Sequence, residues 1–590
     1  MTPPDKKLFQ DFEPISKAKW LAKVQQDLKG KPIQKLQWKP EPGLDFAPFY
    51  TAEDLAPISE HINQAVGEAP FRRGGVFKRD GASWQAVQEV YTHDPAATER
   101  IAEAREAELA AFSLVGNALD ASLMAAIDLS QNALHLSLAE KPILTAAELL
   151  LQAASQGVSK KLLTGTLRND PLGAAAANDQ LPDASDWIDA EGGLKNLSEL
   201  PWFRALGLDM GYVQEQGGSI TQELAFALAT VVEYLDWLGK KGHDLASLLQ
   251  NMALTFAVGN NFYLETAKLR AFRILFHKAV AAFGIEDESL LSPFVLSRTT
   301  RWSQTQYDVS NNLLRATTQS ISSIMGGTDA LIIRDYDLSV AAPSRRSNRL
   351  ARNIHHLLAH ESYLDQVLDP AGGSYFFEEL TEQLAREAWQ LFQEIEAAGG
   401  FYVALKTGFV RKQIDAYRSL QQEFIAKGKQ GIVGVNRYAD PSETLEQTNQ
   451  LSSAAASFEQ LRSRVDKWSR QNGAKPKVLL CSFGDVKMRN ARLQFARNLL
   501  ASAGFEFQET KPETLSDHSV ADFVAFCAAD TDYFQNGDTL VAQARSQFPK
   551  AQILIAGRPD GIEQLKADHY LYAGMPLLAF LEEICLPFTS

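Results

Sequence analysis

The chain has 590 residues, 45% of them hydrophobic, and a formal net charge of −14. That length suits two to four domains, the apolar share is ordinary for a globular protein, and the acidic balance speaks against a nucleic-acid partner. No apolar run approaches a membrane span and the first residues carry no apolar signal core, so a cytoplasmic protein without a membrane partner is expected.

Residues 1–45 read as an arm available for subunit contact. A helix from Lys17 to Leu28, ended by Gly30, carries Trp20, Leu21, Val24 and Leu28 as an apolar stripe. Either a partner subunit or the chain's own surface has to cover it. From 46 to 385, strand and helix patterns alternate. Strands are expected over 84–91, 133–138, 161–167, 203–208, 253–258, 294–300 and 330–333, and helices over 97–114, 146–155, 221–238 and 262–276. This is close to the eight units of a (β/α)8 TIM-type barrel. Near its end, Leu314, Thr317, Ile321 and Ile324 recur at helical spacing, and Gly326-Gly327 stops that helix. A second helix is expected over 348–368 and ends before Asp369-Pro370, because a residue preceding proline avoids helical geometry.

Thr164 and Thr166 share one strand face, as do Ser297 and Thr299. If these small polar side chains point inward they leave room along the barrel axis; the competing reading turns them toward the helices. Residues 386–474 are polar and helical, a linker belt without evident chemistry. Residues 475–590 restart with a βα alternation of flavodoxin-like (Rossmann-like) size, whose ligand site belongs at the carboxyl ends of its strands. Cys481, Cys527 and Cys585 form no close pair and read as reduced structural thiols. His355, His356 and His360 read as a solvated helix surface, and no metal site is expected.

Several ordered blocks together carry a family likeness. They are Gly165 to Gly173, Gln222-Glu223 with Glu233-Tyr234, Phe256 to Phe262, Ala267-Lys268 with Arg270 and Arg273, Asn311-Asn312 with Arg315, Ala351-Arg352-Asn353, and Asp369 to Tyr375. Over nearly the whole chain they resemble the methylmalonyl-CoA mutase family. The likeness implies an isomerase complex of propionate metabolism that interconverts succinyl-CoA and (R)-methylmalonyl-CoA with adenosylcobalamin. It also implies a cobalamin-binding-type C-terminal domain. The arm from Phe12 to Trp20, with Asp27 to Gly30, is similar to the start of the small subunit of heterodimeric bacterial members.

Departures from the catalytic pattern favour a chain that is not catalytic itself. Catalytic members carry a Trp-x-x-x-Gln-Tyr block in the first strand; here Trp84 and Gln88 remain, but Glu89 takes the tyrosine position. Where they carry a histidine after an arginine-rich strand, Ser297 to Tyr307 has none, and Tyr212 replaces another histidine before Gln214. Cobalamin binders use Asp-x-His-x-x-Gly in the C-terminal domain. Here Asp485, Lys487 and Arg489 form a degenerate loop, and no histidine lies between Cys481 and His518. Ala528 to Asp530 and Gly557-Arg558-Pro559 occupy the later cofactor elements, where Arg558 and Pro559 would crowd a nucleotide tail. The expectation is therefore no catalytic residue and no metal in this chain, with adenosylcobalamin held by a catalytic large subunit as its heterodimer partner. Gln214, Thr164, Thr166, Ser297 and Thr299 are expected as vestigial acyl-CoA contacts. The alternatives are an active acyl-CoA mutase of altered scope, with His518 as cobalt ligand, or a CoA-ester-binding module without turnover.

Overall fold

The computed structural model describes residues 13, 15–75, 84–109, 111–119, 121–445, 449 and 452–589. Phe12 and Pro14 of the arm motif, and Gln450 and Leu451 of the belt, lie outside the described residues. Eight parallel strands close into a barrel in sequential order: β1 (Gln85–Tyr91), β2 (Ala111–Gly116), β3 (Ala133–Leu138), β4 (Thr164–Arg168), β5 (Trp202–Asp209), β6 (Met252–Val258), β7 (Phe294–Thr299) and β8 (Ala330–Ile332). The seam is β1 on β8, with Gln85 opposite Ala330 and Val87 opposite Ile332.

The expected helix over 97–114 is in fact a helix, Ala97–Glu106, followed by β2. Glu108 turns the chain at φ 61, and the first four residues of β2 are buried. A short buried apolar strand cannot be told from a helix by periodicity. The expected strand over 161–167 begins with a 3-10 turn, Lys160–Leu162, before β4. The expected helix over 348–368 runs Arg345–His356 and widens into a π turn, Leu357–Glu361.

The helix Asn311–Met325 buries Asn312, Ala316, Gln319, Ser320, Ser322, Ser323 and Ile324, whereas Leu314 is 65% exposed. Its expected apolar stripe is thus displaced by a face of small polar side chains. They satisfy themselves locally: Ser320 Oγ donates to the Ala316 carbonyl at 2.7 Å and Ser323 Oγ to Gln319 at 3.0 Å.

The family blocks turn out to hold the barrel's helices together. Ser219 and Gln222 form a capping box that starts the long helix Ile220–Lys240. From the helix Phe262–Ala281, Lys268 pairs with Glu223 at 2.8 Å and Glu265 at 2.7 Å. Arg270 pairs with Asp369 at 3.0 Å and with Glu378 at 2.8 Å, and Arg72 reaches Glu378 at 3.2 Å. These groups are almost wholly buried, so each charge depends on its partner.

The arm lies on the barrel. Trp20 stacks on Phe49 with centroids 4.3 Å apart, and Lys17 pairs with Asp54. Glu41 accepts from the Ile220 and Thr221 amides at 2.9 and 3.2 Å, capping the helix that begins there. The chain's own surface therefore covers the arm's stripe, but only in part, because no residue of the helix Lys17–Asp27 is fully buried.

A second parallel sheet comprises β9 (Lys477–Ser482), β10 (Glu506–Thr510), β11 (Phe523–Cys527), β12 (Gln552–Ala556) and β13 (His569–Leu571), in the order β10-β9-β11-β12-β13. Both faces are apolar, as a parallel sheet covered on two sides requires. All three cysteines are buried and free, and burial pushes their thiols up to about 12. The belt helix Ala456–Asn472, which packs on this sheet, is tied to the loop after β7: Tyr307 donates to Asp466 at 2.7 Å, and the Gln306 amide donates to Glu459 at 2.6 Å.

Replacing Arg270 with alanine leaves Asp369 with Arg73 alone, at 3.3 Å, and leaves Glu378 with Arg72, Arg73 and the Gly373 amide. The substitution is expected to cost about 3–5 kcal/mol in urea unfolding, whereas Lys23→Ala on the exposed arm helix is expected to cost under about 0.5 kcal/mol.

Candidate functional site: the barrel mouth and the strand ends of the second sheet

TIM-type barrels place chemistry at the carboxyl ends of their strands. The interior of this barrel is filled along its length. Near the amino ends, Val87, Ala111, Ala133, Ala253, Phe294, Leu296, Ala330 and Ile332 form an apolar plug. The Arg204 guanidinium lies 4.0 Å from the Phe294 ring centroid. His135 is held between Thr166 Oγ1 at 3.1 Å and Gln85 Oε1 at 3.0 Å.

Toward the carboxyl ends the filling is ionic. Arg298 pairs with Asp209 at 3.3 Å, and Arg168 approaches the same carboxylate at 3.8 Å. Arg334 lies 3.5 Å from Glu89 and 2.6 Å from Glu215. Tyr91 donates to Glu89 at 2.8 Å and accepts from Arg301 at 2.7 Å. Burial alone would raise the Glu89 carboxyl, but Arg334, Arg301 and Arg298 hold it below the ordinary carboxylate range. Asp209 is lowered in the same way by Arg298 and Arg168 against the pull of its burial. Where Arg168, Asp209 and Arg298 meet Thr166 and His135, the void left on the axis is small, about 30 Å³.

The first-strand block divides between two faces. Glu89 points into the mouth, while Trp84 and Gln88 face the helices. Trp84 Nε1 donates to His355 Nδ1 at 3.2 Å, and Gln88 Oε1 accepts from Arg352 at 3.4 Å. His355 therefore departs from the solvated surface expected for it: it is buried, and burial drops its pKa to about 3, so it is neutral.

Of the five expected substrate contacts, Thr166 alone faces the axis beside the void. Thr164 is exposed at the amino end of β4. Ser297 and Thr299 are corrected: the inward residues of β7 are Phe294, Leu296 and Arg298, which turns the intervening side chains to the helix layer. Thr299 Oγ1 there accepts from the Arg334 amide at 2.9 Å. Gln214 stands behind the ends of β5 and β6, its amide nitrogen donating to Glu223 at 3.1 Å and Glu265 at 2.8 Å. Tyr212 is buried with its hydroxyl unpartnered. Sequence reasoning missed Asp209 and Arg334, and it met Arg168 and Glu215 within family blocks without giving them a role. Their one signal is their position at or just beyond strand ends.

The second sheet has its crevice at the carboxyl ends of β9, β11 and β12. Tyr533 occupies it, 1% exposed, accepting from the Ala528 amide at 3.0 Å and lying 2.8 Å from the Phe526 carbonyl and 3.1 Å from that of Ala556. Arg492 covers the ring at 5.5 Å and donates to Asp530 at 2.6 Å. Asp485 is spent as a helix cap, accepting from the Met488 amide at 2.8 Å, and Lys487 is exposed beside it with Arg489 half-buried. His518 lies on the connection between β10 and β11, where its carbonyl accepts from Gln547 at 2.8 Å at the end of the helix Asp530–Gln547. That connection leads back to the amino end of β11, the opposite edge from the Asp485 loop. A corrin with its nucleotide tail meets a filled crevice and a loop without an imidazole, so the residues present do not fit cobalamin. Among the described residues no group of three or more His, Cys, Asp or Glu side chains is placed to hold a metal.

The ionic mouth has a pH signature. The Glu89 carboxyl is depressed in the folded state, so its contribution is present at neutral pH and is lost as pH falls below the unfolded glutamate value and through the lower folded one. Glu89→Gln is expected to destabilise the chain by on the order of 3 kcal/mol at pH 7. The gap from wild type, read by urea unfolding, is expected to shrink as pH falls below the unfolded glutamate value of about 4.3.

Residues 117–481 match the family model described as methylmalonyl-CoA mutase. The chain is 28% identical over 606 residues to the methylmalonyl-CoA mutase small subunit of Porphyromonas gingivalis, covering 95% of each chain. It is 31% identical over 576 residues to the small subunit of Streptomyces virginiae, covering 92% of this chain and 90% of that one. Against the large subunit of Streptomyces virginiae the identity is 28% over 485 residues, covering 76% and 66%. On the matched residues 117–481 and on these relatives, the chain belongs to the methylmalonyl-CoA mutase family.

Proposed function

We propose that this chain is the small subunit of an adenosylcobalamin-dependent methylmalonyl-CoA mutase, inactive on its own and paired with a catalytic large subunit. The complex would interconvert succinyl-CoA and (R)-methylmalonyl-CoA. Relatives named small subunit span nearly the whole chain, which supports the assignment. The observation that carries the inactive-alone reading is the Arg334–Glu89 pair, which fills the position where catalytic members present a tyrosine. A carboxylate locked to a guanidinium can neither stack on a cofactor nor relay a proton, because its charge is committed to keeping the arginine paired.

The strand order of the second sheet is the flavodoxin order, which supports reading residues 475–590 as a cobalamin-binding-type domain that has lost its ligand. Its filled crevice favours a cofactor held by the partner. The closed axis argues against an active mutase and against a CoA ester held along the axis, since an acyl-CoA thioester needs more room than the axial void offers. His518, at the wrong edge of the sheet, argues against it as a cobalt ligand. The arm, 1–45, with its half-covered helix, and the belt, 386–474, are the segments we assign to subunit contact and linkage. No helix among the described residues is long and apolar enough to cross a membrane, in keeping with a cytoplasmic complex.

Purified alone, the chain is expected to show no mutase turnover and no cobalamin absorbance. Co-expressed with a large subunit, it is expected to co-purify in a one-to-one complex that turns over. Robust turnover by the isolated chain would sink the assignment.

A further inference from the structure

Beside the closed mouth lies an open cleft of about 950 Å³. Its walls are arm residues 38–45, the loops after β5, β6 and β7, the helix Phe409–Ala426 and residues 430–433. Glu89, Asp209 and Arg334 do not line it, so it is separate from the axis. Its volume lies in the range of small-molecule sites.

Two polar groups in the cleft are poised for a ligand. The first is Gln214. Its amide nitrogen faces Glu223 and Glu265, groups that accept when ionised, so the orientation of the amide is fixed and Oε1 is left facing the cleft. Glu265 Oε1 is already filled, accepting from Gln214 and from the Gly259 amide at 2.8 Å. Gly259 keeps the Gln214 oxygen open: a Cβ there would come within 3.0 Å of it. A carbonyl oxygen in this position calls for a hydrogen-bond donor.

The second group is Arg315. Its guanidinium donates to Thr305 Oγ1 at 3.0 Å, Asn312 Oδ1 at 2.8 Å and the Val433 carbonyl at 2.7 Å, all of them neutral. The Asp308 and Glu459 carboxylates act on it through space but neither hydrogen-bonds it, so this half-buried guanidinium can still take an anion. The rest of the lining mixes polar side chains, Lys39, Glu41 and Asp45 of the arm among them, with apolar surface on which Leu314, Phe424 and Val433 are left 65%, 36% and 48% exposed.

We infer that this cleft binds a small organic anion with an apolar body and a hydrogen-bond donor, the anionic group on Arg315 and the donor on Gln214 Oε1. The inference stands apart from the small-subunit assignment, because it uses none of the groups that close the axis or fill the second sheet's crevice.

The probes are 8-anilinonaphthalene-1-sulfonate, which has a sulfonate, an apolar aromatic body and an N–H donor, and 8-phenoxynaphthalene-1-sulfonate, in which an ether oxygen replaces the N–H and the apolar body is kept. Calorimetric titration of the full chain is expected to give one saturable site for the anilino compound. Leu314 is exposed, so substitution there leaves the fold intact. Leu314→Glu is expected to weaken binding about tenfold, while Leu314→Lys holds or tightens it. Loss of the donor is expected to weaken binding about fivefold, the worth of one neutral hydrogen bond. In Gly259→Val, which covers the Gln214 oxygen, the two probes are expected to bind alike. Absence of saturable binding at millimolar probe would overturn the inference, as would equal affinities for Leu314→Glu and Leu314→Lys. Equal binding of the two probes to the wild type would overturn the donor assignment.

Discussion

The barrel depends on how it accommodates a carboxylate at Glu89. Buried on the inner face of β1, that charge needs a cation, and Arg334 supplies it from just beyond β8. Because β1 and β8 are the strands that meet at the barrel's seam, the pair spans the closure itself. Glu215 takes the other side of Arg334, and Asp209 collects Arg298 and Arg168. Once these groups are mutually satisfied the mouth is closed, since opening it would leave several charges desolvated and unpaired. The fold that would hold a substrate along its axis is retained, and the axis is used for stability.

The second sheet follows the same logic. Tyr533 bridges the ends of β11 and β12 and Arg492 lies over it, so the carboxyl-end crevice is packed with the chain's own side chains. The family blocks elsewhere act as architecture. Lys268, held by Glu265 of its own helix, joins that helix to Ile220–Lys240 through Glu223, and Arg270 ties the Asp369 turn to the helix that follows it. Their chemistry is charge pairing in a dry interior, which holds the helices in place without any contact to a reacting group.

Much of this was legible in the sequence. Strands β1, β3 and β5 to β8 lie close to where alternation and turn residues place them, and the resemblance pointed to the lost tyrosine and histidine positions. What escaped did so for physical reasons. β2 merged with the helix before it because an apolar strand buried on both faces has no period of its own. The Asn311–Met325 helix turned its serines inward because hydroxyls bonded to their own helix carbonyls pack tightly, a pattern invisible to an apolar count. Ser297 and Thr299 went to the wrong face because shared parity does not say which parity is inside. Glu89 was legible as a loss, but its partner Arg334 was not, because only barrel closure brings the two together.

The account's central claim is that only one chain of the assembled enzyme carries the cofactor. Titration of the reconstituted complex with adenosylcobalamin, followed by absorbance and related to total protein, tests it most directly. The account predicts saturation at one cobalamin per two chains. Saturation at two would contradict it.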